Sequence, residues 1–160
     1  MIFKYKDCIY PDYLKHGNAI KYIEPIARYF LSGSILDIGG TNEWHFMNAE
    51  YVNVERKDGF HAMNIPCKIW DSIISSHTLE HLKDPFYALK YWTEHLKKNG
   101  VLFLYLPHPN QEYWAFDCPK HLHFFTPRII KGWLKRLGYK NILTSGQDMY
   151  WSFTVVGFKK

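Results

Sequence analysis

Residues 75–82 read SSHTLEHL, and how that stretch folds decides what the rest of the chain is. Taken alone, His77-Thr78-Leu79-Glu80-His81 spells H-x-x-E-H, the inverted zinc-protease signature. A metal pair of that kind needs both imidazoles on one face of a sustained helix, with a further ligand downstream. The flanks deny it that helix. WDSIISS, ending at Ser76, reads as a strand rich in isoleucine, and Asp84-Pro85 restarts the chain soon after His81. At most one irregular turn fits between, so the spacing argues against a metal site and for a sheet strand followed by its turn.

Working outward, strands and helices alternate. Asp84-Pro85 opens PFYALKYWTEHLKK, a helix with proline in its first turn and lysines in its last. Asn99-Gly100 ends it, and VLFLYLP follows as another strand. Upstream, SILDIGG is a short apolar run entering a tight turn, and YVNVE is a β-branched strand ending on Glu55. NAIKYIEPIARYFLSG places Ile20, Ile23, Ala27, Phe30 and Leu31 at helical spacing, with Pro25 marking a kink or first turn and an end near Ser32-Gly33. Downstream of a loop rich in His, Pro and aromatics, Thr126-Pro127 supplies the N-cap and first position of RIIKGWLKRLG. KNILTS and YWSFTVVGF close the chain as two strands joined at Gly146-Gln147-Asp148. The order implies an α/β domain with a mainly parallel sheet, helices on both faces and an antiparallel strand from the closing hairpin. Residues 1–160 read as one domain, with 1–33 an N-terminal helical or lid segment and 34–160 the core.

The 160 residues are 47% hydrophobic and 18% aromatic, enough for one packed core and too apolar for a disordered chain. No apolar run approaches the ~20 residues of a membrane span, and the first residues lack the apolar centre of a signal peptide, so a cytoplasmic location is expected. Cys8, Cys67 and Cys118 are scattered and form no C-x-x-C pair, which argues against a disulfide framework and a thiolate zinc site. Net charge is +5, concentrated in PRIIKGWLKRLGYK and the final lysines. That is read first as the solvated face of an amphipathic helix.

Ligands of open α/β sheets bind at the carboxyl ends of the strands. Three distinctive segments fall there: DIGGTN, Glu55 and SHTLEH. Gly39 and Gly40 let backbone approach a ligand and take positive φ, and a carboxylate at the second strand end accepts ribose hydroxyls. Together they suggest an adenosine-containing cofactor.

At this point SILDIGG, VNVE, WDSIISSHTLEHLKDP, NGVLFLYLP and HLHFFTPRIIKGWLKRLGY resemble, in order and at sensible spacing, the class I S-adenosylmethionine-dependent methyltransferases. The likeness is closest to the small-molecule group with an LEHL-x-DP motif. It implies a Rossmann-like fold in a minimal version and S-adenosylmethionine as cofactor, leaving S-adenosylhomocysteine as product. By the same resemblance Asp37 helps hold the α-ammonium, and Gly39, Gly40 and Thr41 form the turn beside the methionyl and ribose groups. Glu55 takes the ribose hydroxyls, Arg56 flanks the adenine, Asn64 and Ile65 read its edge and face, and Ser76 and His77 line the sulfonium end. The chain departs from the family pattern in three places. Thr41 stands where a glycine is usual, only a short helix fits between Gly40 and Tyr51, and the usual helix and strand are compressed into RKDGFHAMNIPCKI.

Methyl transfer uses an already activated carbon, so the protein mainly aligns the acceptor and takes its proton. Candidate bases are His81 at the strand-end turn and His121 or His123 in the following loop, with His81 and His123 ranked first. Tyr105, His108, Tyr113, Trp114 and Phe116 are candidates for an aromatic acceptor pocket. The acceptor is expected to be a small molecule or glycan methylated at oxygen. A non-catalytic module of the same fold and a nucleic-acid methyltransferase are the alternatives; the N/D-P-P-Y/F motif of amino-methylating DNA enzymes is absent, LPHPN standing in its place.

Overall fold

The computed structural model describes residues 2–12, 19–54, 59–115 and 120–160. Six strands form one sheet in the order β4-β3-β5-β6-β8-β7: β3 Ile35–Ile38, β4 Glu50–Val52, β5 Trp70–Ser76, β6 Leu96–Pro107, β7 Tyr139–Thr144 and β8 Ser152–Lys159. β4, β3, β5 and β6 run parallel, with Asp37 opposite Tyr51 on one side and Ile74 on the other. β8 runs antiparallel between β6 and β7. The mainly parallel sheet with an antiparallel C-terminal strand is the architecture the alternating pattern implied.

The sheet is covered on both faces, and the apolar periodicities explain how. α1 (Ile20–Ala27) lays Ile20, Ile23 and Ala27 with Leu31 against Ile74, Phe103, Tyr105 and Val156. On the opposite face α2 (Pro85–Glu94) and α4 (Pro127–Arg136) bury Leu89, Trp92, Ile130 and Leu134 against Leu36, Ile73, Leu102 and Phe153. Strands buried on both faces read as continuous apolar runs, which is why β5 and β6 were so plain in the sequence. The N-cap predicted at Thr126 forms, and Asp84, at the predicted start of α2, caps that helix as well. The Asp84 carboxylate accepts the Tyr87 N–H at 2.9 Å and the Thr126 hydroxyl accepts the Ile129 N–H at 3.3 Å.

Several boundaries differ from expectation. A two-stranded antiparallel hairpin, β1 (Ile2–Tyr5) and β2 (Cys8–Pro11), lies in the segment expected to be helical. It is anchored by Tyr10, whose hydroxyl accepts the Glu112 N–H at the start of α3 (Glu112–Ala115) and whose ring packs on Trp151. α2 stops at Glu94 rather than running to the lysines, because Leu96 already pairs with Trp70 in the sheet. Lys159 closes that helix end by donating from Nζ to the carbonyl oxygens of Thr93 and Leu96. Residues 41–49 form successive turns instead of the expected short helix. The connection from β7 to β8 spans residues 145–151, longer than three residues, and is organised by Asp148: Oδ1 accepts the N–H groups of Tyr150 and Ser152, and Oδ2 accepts the Tyr105 hydroxyl at 2.7 Å. No described helix is long and apolar enough to cross a membrane.

The shortened stretch before β5 replaces a covering helix with side chains from α2. The Trp92 indole donates to the Ala62 carbonyl at 2.7 Å, and the Tyr91 hydroxyl accepts the Ile65 N–H at 3.1 Å. Two hydrogen bonds thus fix a segment too short for regular structure of its own.

Candidate active site

A cavity of about 700 Å³ opens at the carboxyl ends of β3, β4 and β5, within the range of small-molecule and cofactor sites. Its walls include Asp37, Gly39, Gly40, Thr41, Ser76, His77 and His81. Seven of the predicted site residues therefore meet. Trp44, Asn53, Val54, Thr78 and Lys120 join them without having been singled out.

Asp37 is almost completely buried at the end of β3. Its Oδ2 accepts the Phe46 N–H at 2.7 Å, and burial pushes its carboxyl up to about 7, only partly offset by that hydrogen bond and by His45. A buried carboxyl group at a cavity wall gains most from a cationic partner, so the donor set suits an α-ammonium. Gly39 has φ +103°, and a Cβ there would lie 1.8 Å from Thr78 Oγ1. Gly39 therefore serves contact between two strand-end turns as well as access to a ligand. Gly40, expected to share the positive φ, does not; its hydrogen is required because a Cβ would come within 2.8 Å of Tyr51 Cβ. Thr41 replaces glycine without strain by closing a turn, its hydroxyl accepting the Trp44 N–H at 3.0 Å and its N–H donating to the Trp44 carbonyl at 2.8 Å.

At the end of β5 His77 sits at φ +48°, a left-handed conformation that costs roughly 1–3 kcal/mol in a non-glycine residue. It is held there by its N–H donating to the Tyr105 carbonyl at 2.8 Å. The next residues, Leu79–His81, make a single 3-10 turn, as the spacing required. The two imidazoles nevertheless converge, on Glu80. His77 Nδ1 and His81 Nε2 each lie 3.8 Å from Glu80 Oε1, and His121 Nε2 lies 3.9 Å from the same atom. His121 arrives because the Glu80 carbonyl accepts the N–H groups of Leu122 and His123, at 2.9 and 3.3 Å, and the Lys120 carbonyl accepts His81 Nδ1–H at 2.8 Å. Glu80 is fully buried, and neither of its oxygens has a hydrogen-bond partner among the described residues. Burial pushes Glu80 up to about 8 and, with the neighbouring imidazoles, His77 down to about 3 and His121 down to about 4. His81 is lowered too, chiefly by burial.

Other expected residues are not brought to the cavity. His123 donates Nε2–H to the Lys83 carbonyl at 3.3 Å and stacks on Phe125, so the loop turns its neighbour His121 toward the cluster instead. Asn64 is exposed in a backbone-paired turn with His61, and Ile65 is packed in the core. Tyr105 and His108 are committed to Asp148 and Phe153, and Tyr113 to the rings of the N-terminal hairpin. Glu55, Arg56 and Phe116 lie outside the described residues, as does the Trp114 side chain, although Asn53 and Val54, just before Glu55, do line the cavity.

The sequence profile of the methyltransferase-domain family matches residues 14–144. No curated protein sequence matches the chain. Among solved structures, the fold is similar to an S-adenosylmethionine-dependent methyltransferase, possible histamine N-methyltransferase, from Thermotoga maritima, with TM-score 0.73 and 19% identity over 92% of this chain and 93% of that one. It is also similar to an S-adenosylmethionine-dependent methyltransferase from Archaeoglobus fulgidus, with TM-score 0.67 and 16% identity over 93% and 100% of the two chains. Magnesium protoporphyrin IX methyltransferase from Synechocystis, with bound S-adenosylmethionine, has TM-score 0.62 and 12% identity over 92% and 81%.

Proposed function

The chain belongs to the methyltransferase-domain family, and from that premise we propose that it transfers a methyl group from S-adenosylmethionine to an oxygen of a small-molecule or glycan acceptor. The observation that carries this reading is that one cavity is lined by buried Asp37 and the Gly39–Thr41 turn together with Ser76, His77 and His81. The first set suits the amino-acid end of the cofactor and the second abuts the acceptor.

When bound, S-adenosylmethionine supplies a methyl carbon made electrophilic by the adjacent positive sulfur. The residues of this chain do the rest. Asp37 takes the ammonium, and the Gly39–Thr41 backbone fixes the methionyl and ribose groups. Glu55, immediately after the cavity-lining Asn53 and Val54, is the proposed ribose ligand. The acceptor is oriented against the imidazole side, and its hydroxyl proton passes to the His77–Glu80–His81–His121 cluster, of which His81 lines the cavity. Burial keeps those imidazoles neutral at neutral pH, which leaves His81 a lone pair for that proton while lowering its strength as a base.

The test is calorimetric titration of the purified protein with S-adenosylmethionine and S-adenosylhomocysteine, followed by an acceptor screen that reads formation of S-adenosylhomocysteine. Saturable 1:1 binding of both, with turnover on at least one hydroxyl-bearing acceptor class, is expected. Failure of both ligands to bind refutes the cofactor reading, and binding without turnover on any hydroxyl acceptor refutes methylation at oxygen.

A further inference from the structure

Four side chains at the acceptor end of the cavity share a pattern that methyl transfer does not require. With Glu80 ionised, three of them, Glu80, His77 and His81, present acceptors to one another and no donor. His81 Nδ1 carries its proton, because its 2.8 Å partner, the Lys120 carbonyl oxygen, can only accept. His81 Nε2 is therefore a bare lone pair, and it faces Glu80 Oε1 at 3.8 Å. The Ser152 hydroxyl donates to the Tyr150 carbonyl, so it accepts His77 Nε2–H at 3.0 Å, and His77 Nδ1 is likewise a lone pair, 3.8 Å from the same oxygen. His121 Nε2 approaches that oxygen to 3.9 Å. At the centre lies a carboxylate with no exposure and no hydrogen bond among the described residues. Native structures rarely leave such a group unsatisfied, and each exception calls for an explanation.

A cation at the centre of this ring relieves these contacts, and we propose that Glu80, His81 and His121 bind a divalent first-row metal ion as three protein ligands, leaving a fourth position unfilled by protein. The donor atoms of Glu80, His81 and His121 already lie within 4.8 Å of one another. Metal–donor distances of ~2.0–2.2 Å place tetrahedral donors about 3.3 Å apart, so the oxygen–nitrogen pairs at 3.8–3.9 Å must contract by about half an ångström, and the widest pair, within 4.8 Å, by up to about 1.5 Å. That is a side-chain adjustment, not a refolding. Imidazoles with one carboxylate and no thiolate select zinc-like ions over magnesium or copper(I). The His81 Nδ1–H bond to a backbone carbonyl is the support metal-bound histidines commonly have, fixing tautomer and ring orientation. The sequence spacing argued against a metal here because it considered one helix. The third ligand comes from a loop forty positions on, drawn in by the backbone of Glu80 itself.

Because His77 and His81 also line the cavity, the ion's remaining position is open to an acceptor oxygen. The acceptor is then a molecule whose hydroxyl or neighbouring carboxylate completes the coordination; in the ion-bound state the ion lowers the hydroxyl's proton affinity and the proton leaves to solvent through the cavity mouth, His81 Nε2 being occupied as a ligand. This last step rests on the methyl-transfer reading; the ion site does not.

The experiment treats the protein with chelator, then titrates Zn²⁺ by calorimetry and Co²⁺ by visible absorption. One equivalent should bind, giving the intense bands of low-coordinate Co²⁺. His121→Ala should weaken binding at least tenfold, as should His81→Gln if the first variant does not fold, while His123→Ala leaves it unchanged. Absence of saturable binding, or equal affinity in a folded His121→Ala or His81→Gln protein, overturns the site and leaves a proton on Glu80 as the cation. Acetohydroxamate, a bidentate oxygen probe, should shift the Co²⁺ bands; no shift overturns the open position. S-adenosylhomocysteine titrated into the same preparations should bind wild type and His121→Ala equally. Loss of that binding with the metal retained refutes the cofactor reading alone.

Discussion

Replacing Asp37 with asparagine separates the two things that carboxyl group does. In the ligand-free protein it is a liability: burial raises it from 3.8 to about 7, roughly three units at about 1.4 kcal/mol each. The sign follows from proton counting. Between those two values the native state holds a proton that the unfolded chain has released, so stability falls as pH rises, by about 1.5 kcal/mol at pH 5 and about 4 kcal/mol by pH 8. Asparagine keeps the acceptor for the Phe46 N–H, now at 2.7 Å, and removes the charge. Asp37→Asn should therefore melt higher than wild type, by about 10 °C at pH 8 and by less than half of that at pH 5, for a domain in which each kcal/mol moves the midpoint by about 2–4 °C. Toward the cofactor it should do the reverse. Losing a hydrogen bond between charged groups, ~1.5–3 kcal/mol, weakens S-adenosylhomocysteine roughly ten- to a hundredfold in calorimetry. A melting difference that does not change with pH, or a variant less stable than wild type at pH 8, would refute the assignment of a desolvated carboxylate.

Gly39→Ala should destabilise by about 1–3 kcal/mol in urea melts, since the new methyl meets Thr78 Oγ1 in a left-handed backbone. Combining it with Thr78→Ala should recover part of that loss, and a purely additive pair would show that the turns do not touch. Tyr105→Phe removes the 2.7 Å bond to Asp148 and should cost about 1–2 kcal/mol, with faster amide exchange in residues 145–151 read by mass spectrometry. His123→Ala should keep methyl-transfer turnover within about twofold of wild type, whereas His81→Ala should lower kcat by roughly 10²-fold or more. Equal losses from both would restore His123 to the active site.

What could be read without coordinates was whatever depends on near neighbours. Asp84-Pro85 and Thr126-Pro127 signal helix starts within four residues, and both caps form. The apolar runs of β5 and β6 needed no partner to be recognised. DIGG announced a strand-end turn, and Asp37, Gly39, Gly40 and Thr41 do line the cavity. What was lost depends on distant pairing. IFKY and CIYP are too short and too interrupted by lysine and proline to read as strands, and they become a hairpin through aromatic contacts with Tyr113 and Trp151. Nothing in HLHFF distinguishes His121 from His123. The choice is made by the Glu80 carbonyl, which binds the loop in the register that turns one imidazole inward. Asn64 and Ile65 were placed by analogy with a longer connection, and in this shortened one α2 holds the segment as core.

The position of β6 has a consequence for how the chain comes to be folded. This strand lies between β5 and β8, and seven residues, Val101–Pro107, pair with β8. Its apolar middle is fully buried only when both neighbours are present. β8 is the last strand of the sheet in chain order, so ~45 residues must be made after β6 before its second edge is covered, a delay of several seconds at ~5–20 residues per second. For that time the nascent chain carries an open, apolar strand edge in the middle of its future sheet, the kind of surface that recruits other chains. A charge placed on the outer strand β7 would do nothing for this interval. Protection has to come from a chaperone or from rapid closure of the β7–β8 hairpin, whose loop is already organised by one aspartate.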